Sequence, residues 1–109
     1  MRLLLKVEGS VLWLRKSNKL AEANFVKEAK NRGVKASKLV FADKLPMSEH
    51  LARYKLADLF LDTFIYNAHT TASEALWSGL PVLTKTGKGF AARVATSLLS
   101  AINLTELVT

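Results

Sequence analysis

No cysteine occurs among the 109 residues. That excludes a disulfide framework, a thiol nucleophile and a cysteine-ligated zinc site. Two histidines are too few for a metal site built from histidine alone. No stretch approaches the roughly 20 uncharged apolar residues of a membrane span; Asp58 and Asp62 interrupt the best one. The run Leu3-Leu4-Leu5 is too short for a signal-peptide core. The expected location is therefore the cytoplasm, with no membrane partner. What is present suits one small globular domain over 1–109, because 50% of the residues are hydrophobic and 23% charged. Sixteen Lys and Arg against nine Asp and Glu leave a formal charge of +7, which favours anionic partners.

Short apolar runs alternate with helical patterns along the whole chain. The opening residues read as the tail of a helix that Gly9 can stop, as in a piece of a longer protein. Val11-Leu12-Trp13-Leu14 has the continuous apolar pattern of a strand buried on both faces. A helix from about Asn18 to Arg32 follows, capped by Ser17 or Asn18 and ended by Gly33. Leu39-Val40-Phe41-Ala42 is a second strand; Ser48 then caps a short helix reaching about Ala57. Leu59-Phe60-Leu61-Asp62 is a third strand, and a helix from Thr71 to Ser78 ends at Gly79. Pro81-Val82-Leu83-Thr84 is the fourth strand, before a last helix over about Phe90 to Ala101. The alternation predicts an α/β fold, Rossmann-like, with helices on both faces of a mostly parallel sheet. Trp13 and Trp77 read as core.

Ligands of parallel sheets collect where strands hand over to helix starts. The richest such place is the loop from Asp62 into the helix at Thr71, with His69, Thr70 and Thr71 at the junction. A helix N-terminus offers unpaired N–H groups to an anion such as a diphosphate, and the hydroxyls add donors. Thr71-Ala72-Ser73-Glu74 also fits a capping box, and the two roles are compatible. His50 and Arg53 share one side of the preceding helix, where an imidazole could stack on a base and a guanidinium bind phosphate. Against this stand an ordinary edge histidine and a Glu49–Arg53 helical pair. Gly87-Lys88-Gly89 lacks the spacing of a P-loop or dinucleotide fingerprint and reads first as an exposed turn. The basic stretch Lys27, Lys30, Arg32, Lys35 and Lys38 has no interleaved aromatics, so a solvated helix end explains it better than nucleic acid.

The runs Leu56-Ala57-Asp58-Leu59-Phe60-Leu61-Asp62-Thr63 and Tyr66-Asn67-Ala68-His69-Thr70-Thr71-Ala72-Ser73-Glu74-Ala75-Leu76-Trp77-Ser78-Gly79-Leu80-Pro81 closely resemble the protein O-linked N-acetylglucosamine transferase family. The bacterial members called tetratricopeptide-repeat or SPINDLY-like look nearest. Leu45-Pro46-Met47-Ser48-Glu49-His50-Leu51-Ala52-Arg53-Tyr54 and Phe90-Ala91-Ala92-Arg93-Val94-Ala95 continue the resemblance over nearly the whole chain. It implies the C-terminal lobe of a GT-B glycosyltransferase, the half that holds a nucleotide sugar. By the same resemblance, His50 lies against the uracil with Arg53 close by, and His69, Thr70 and Thr71 meet the diphosphate. Glu74 stands where an aspartate typically faces the ribose. Ile65, Gly89 and Met47 replace a frequent proline, a threonine or serine, and a lysine of some relatives.

The resemblance further implies UDP-N-acetylglucosamine as donor, a protein serine or threonine as acceptor, and inversion at the anomeric carbon. No cofactor or metal is expected. The family's diphosphate-binding lysine falls before Met1, and its acceptor lobe has no counterpart here. No catalytic residue or general base is assigned, so the chain alone is expected to be inactive. A lobe without its neighbours should also expose apolar surface and self-associate through it. Two alternatives stand beside this reading: a relative using GDP-fucose or UDP-glucose, and a non-enzymatic basic binding module.

Overall fold

The computed structural model describes all 109 residues and divides them into two compact units, 1–45 and 46–109. In the first, helix α1 (Arg2–Lys6) precedes β1 (Leu12–Arg15), α2 (Lys19–Asn31) and β2 (Leu39–Ala42). β1 and β2 pair in parallel, Leu12 opposite Leu39 and Leu14 opposite Phe41. Asn18 caps α2 by accepting from the Ala21 N–H at 2.8 Å, which relieves one of the unpaired first-turn donors. Leu4, Ala29, Val34 and Leu39 form the core of this unit, with Leu12 and Phe41 packed against it. Lys38 donates to the carbonyls of Leu4 and Val7 at the end of α1, so one cation of the basic stretch neutralises a helix C-terminus.

The second unit begins with α3 (Met47–Arg53) and a 3-10 turn (Tyr54–Leu56). β3 (Phe60–Leu61), α4 (Thr70–Trp77) and β4 (Val82–Leu83) follow. A 3-10 turn (Phe90–Ala92) then precedes α5 (Val94–Ala101). β3 and β4 are parallel, Phe60 opposite Val82 and Leu61 opposite Leu83. Beyond β4, Thr84 bridges to Val108. Gly79 adopts φ +84° and lets the Leu80 N–H reach the Ala75 carbonyl at 2.9 Å. This left-handed turn ends α4 and drops Leu80 beside Ala75 and Val82 in the core. No helix is long and apolar enough to cross a membrane.

Several expectations are corrected. β1 is half-buried, because its side chains alternate and Trp13 lies on the open side at 40% exposure. Trp77 is 87% exposed, since Ala72 and Ala75 supply the buried face of α4. Neither tryptophan is core. Ser48 does not cap α3; Pro46 does so through its carbonyl, which accepts from His50 N at 2.9 Å. The last helix is broken at Arg93, whose φ of −126° and ψ of −5° are not helical.

The Gly87-Lys88-Gly89 turn exposes Lys88 and Gly89 as expected, but Gly87 is half-buried. Its N–H donates to the Ala92 carbonyl at 2.8 Å, and a Cβ added there would lie 2.4 Å from the Ala92 Cβ. Gly87→Ala is therefore expected to cost about 1–3 kcal/mol through overpacking. Urea unfolding would measure it; an unchanged midpoint would show that the turn can shift freely.

Candidate functional site

The loop between β3 and α4 is fixed from below by two buried polar side chains. Asp62 Oδ1 accepts from the N–H groups of Thr63 at 2.9 Å and Ala68 at 2.7 Å. Its Oδ2 accepts from the Thr84 hydroxyl at 2.7 Å. Asn67, 1% exposed, donates from Nδ2 to the Thr63 carbonyl at 2.8 Å and accepts from the Ala95 N–H near the start of α5 at 3.3 Å. Its own N–H donates to the Ala91 carbonyl at 2.8 Å. One loop is thus tied to β4 and to α5. Buried polar groups are stable only when satisfied in this way.

Above these ties α4 opens at Thr70, one residue earlier than the sequence suggests. His69 is its N-cap and supplies no side-chain hydrogen bond to it. The Thr71–Glu74 capping box does not form, because His69 is the N-cap and Thr71 already lies inside the helix. Thr70 and Thr71 are both exposed at the helix start. The His69 ring stacks on Tyr66 at 5.0 Å between centroids, while its Nε2 is buried without a hydrogen-bond partner. Hydroxyls, first-turn N–H groups and a buried ring nitrogen therefore converge at one helix N-terminus.

His50, Arg53 and Glu74 meet a few residues away. His50 Nε2 lies 3.3 Å from Glu74 Oε2, and Arg53 Nη2 lies 2.9 Å from His50 Nδ1. A guanidinium can only donate, so Nδ1 accepts and the ring proton sits on Nε2, facing the carboxylate. Tyr54 packs edge-on against His50 at 4.9 Å. Burial raises the Tyr54 pKa, the Glu74 charge adds to this, and Arg53 opposes it.

The raised pKa predicts a pH effect. Below the ordinary tyrosine range near pH 10, Tyr54 contributes its full stabilisation; above that range the unfolded chain ionises first and the contribution fades. The phenolate absorbance that disappears in Tyr54→Phe should therefore titrate later than a free tyrosine. Titration at or below pH 10 would contradict the half-buried setting of Tyr54 near the Glu74 charge.

An open groove of about 310 Å³ runs beside these groups, lined by Met47, Leu51, Thr70, Ser73, Glu74 and Trp77. Its volume lies at the small end of the range of roughly 300–1,000 Å³ for small-ligand sites. Of the six residues singled out in the sequence, Thr70 and Glu74 line it. His50 and Arg53 stand behind Glu74, while His69 and Thr71 flank the helix start. Met47, Leu51, Ser73, Trp77 and Tyr54 were missed as site residues. Their signal was helical spacing: Thr70, Ser73, Glu74 and Trp77 fall at i, i+3, i+4 and i+7, one face of α4.

Parallel strand pairs joined through helices, with the polar junction at a helix start, make a Rossmann-like α/β fold. All of residues 1–109 match the family described as Glycosyl transferase family 41, and the chain belongs to that family. It is 39% identical over 107 residues to a UDP-N-acetylglucosamine--peptide N-acetylglucosaminyltransferase of Caenorhabditis elegans, covering 98% of this chain and 9% of that protein. It is also 39% identical over 102 residues to a probable UDP-N-acetylglucosamine--peptide N-acetylglucosaminyltransferase of Arabidopsis thaliana, covering 94% of this chain and 10% of that one. A mutant of the Thermobaculum terrenum O-GlcNAc transferase matches the fold with a TM-score of 0.93 and 33% identity, over 99% of this chain and 21% of that one. The chain thus spans about a tenth of the length of these curated relatives.

Proposed function

We propose that the chain is the donor-binding portion of a protein O-linked N-acetylglucosaminyltransferase, taking UDP-N-acetylglucosamine and serving transfer to protein serine or threonine hydroxyls. The observation that carries this reading is the start of α4. Thr70 and Thr71 are exposed there without a capping role, beside a His69 Nε2 that has no partner within the chain. Breaking the anomeric C–O bond leaves negative charge on the departing diphosphate. Oriented N–H and O–H donors stabilise that charge without reorganising. Donor contacts are assigned to His69, Thr70 and Thr71 at the diphosphate, and to His50, Arg53 and Glu74 on the nucleoside side. Glu74, which lines the groove, takes the ribose side by its resemblance to the family's aspartate. The names of the relatives support the donor and the acceptor class.

Inversion requires an acceptor hydroxyl brought into line with the anomeric carbon. Nothing in residues 1–109 is assigned to that task, so the chain is expected to bind donor without turning it over. The test has two parts. An NMR titration should detect UDP-N-acetylglucosamine in preference to GDP-fucose, and incubation with donor and a serine-rich peptide should give no glycopeptide. Preference for GDP-fucose would overturn the donor, and clear glycosylation would overturn the incompleteness.

A further inference from the structure

The excess charge of the chain is confined to one of its units. Residues 1–45 carry eleven Lys and Arg against four Asp and Glu, while residues 46–109 carry five of each. The whole +7 therefore belongs to the first unit. There Asp43 lies 3.0 Å from Lys16, and Glu28 pairs with Arg32. Lys38 is engaged by the Leu4 and Val7 carbonyls. Lys19, Lys27 and Lys30 are exposed and have no such partner. At 3.6 residues per turn they fall, with exposed Ala23, in one stripe of α2 about 80° wide. Leu20, 73% exposed, borders it. Glu22 stands on the side of buried Ala29, where its charge acts on Lys16, and Glu28 is on the far side of the helix. The stripe therefore holds cations and small apolar surface without an acid.

An ammonium group is a compact point charge that takes carboxylates one at a time. The stripe contains no arginine, whose planar fork suits phosphates, and no aromatic ring on which a base could stack. A phosphate backbone has nothing to set against Leu20, and a single leucine is too little apolar surface to hold a membrane. A polypeptide with an apolar residue among its acids matches both features. From Lys19 to Lys30 the helix rises about 16.5 Å, which an extended chain crosses in about five residues. We propose that this stripe of α2 is a docking surface for a short acidic polypeptide segment, its carboxylates over Lys19, Lys27 and Lys30 and an apolar side chain over Leu20. The surface shares no residue with the proposed donor site, and neither depends on the other.

The test is fluorescence anisotropy of a labelled peptide of glutamates around a central leucine, titrated with the whole chain. The peptide should bind saturably and more weakly as salt is raised. Changing Lys19→Gln, Lys27→Gln and Lys30→Gln together should weaken it about tenfold, since each exposed ion pair contributes a factor of a few. Glutamine has nearly the helix propensity of lysine, so α2 should persist. Lys55→Gln, Lys85→Gln and Lys88→Gln remove the same charge from the other unit and should weaken binding less than about twofold. Leu20→Gln should cost about threefold with the leucine peptide and nothing with a glutamate peptide that has glutamine at its centre. On the unaltered chain, the ¹⁵N amide shifts that move should be those of Lys19 to Asn31, which tests the surface without any variant. Shifts elsewhere, equal losses in the two triple variants, or no saturable binding would overturn the proposal. So would tighter binding of duplex DNA or of phosphatidylserine vesicles than of the peptide, which would assign the stripe to phosphates.

Discussion

Asp62→Ala is expected to destabilise the chain by about 3–5 kcal/mol, a large share of the roughly 5–15 kcal/mol that holds a small domain together. The carboxylate satisfies three donors at once: the N–H groups of Thr63 and Ala68 and the Thr84 hydroxyl. Asp62 and Thr84 are both buried, so water cannot readily replace the lost acceptor. The damage should be local first, because the loop that Asp62 ties to β4 is the one that delivers His69 and Thr70. Asp62→Asn keeps one acceptor oxygen and should cost less than half as much. Urea unfolding of the three proteins checks the order. An Asp62→Ala midpoint within error of the parent would mean that the loop is held by other contacts.

Replacing Thr70 and Thr71 together by valine should weaken nucleotide diphosphate binding ten- to a hundredfold with the fold intact. Hydrogen bonds to charged groups contribute about 1.5–3 kcal/mol, and valine keeps the size and branching of threonine. α4 carries no side-chain cap and both threonines are exposed, so no internal contact is lost. If the hydroxyls served instead as caps, the same change would cost about 0.5–2 kcal/mol of stability and little affinity. Thermal unfolding and a UDP titration on the same variant therefore separate the two roles. Lost stability with unchanged affinity would refute the diphosphate contact.

Periodicity made most of the elements legible. Asn18, Gly33 and Gly79 mark helix ends because asparagine is a favoured N-cap and glycine a favoured left-handed residue. The parallel pairing of β1 with β2 and of β3 with β4 follows from the helix between each pair. Burial was less legible. A run such as Val11-Leu12-Trp13-Leu14 looks the same whether one face or both are covered, and only the structure shows Trp13 on the open side. The capping box failed for a related reason. The helix starts one residue before Thr71, so Glu74 does not stand three residues past the N-cap, and it pairs instead with His50 on a neighbouring segment. Such long-range competition leaves no mark in local sequence. Trp77 shows the converse: its helical phase with Thr70, Ser73 and Glu74 was readable, and assigning it to the core hid the groove.

The central claim is that the start of α4 receives a diphosphate. Backbone amide shifts of the uniformly ¹⁵N-labelled chain, followed as UDP is added, test it most directly. The account predicts that the largest saturable changes fall on Thr70, Thr71, Ala72 and Ser73, with the His69 ring nitrogens moving in step. Changes confined to the basic stretch from Lys27 to Lys38, or no saturable change at the α4 start, would contradict it.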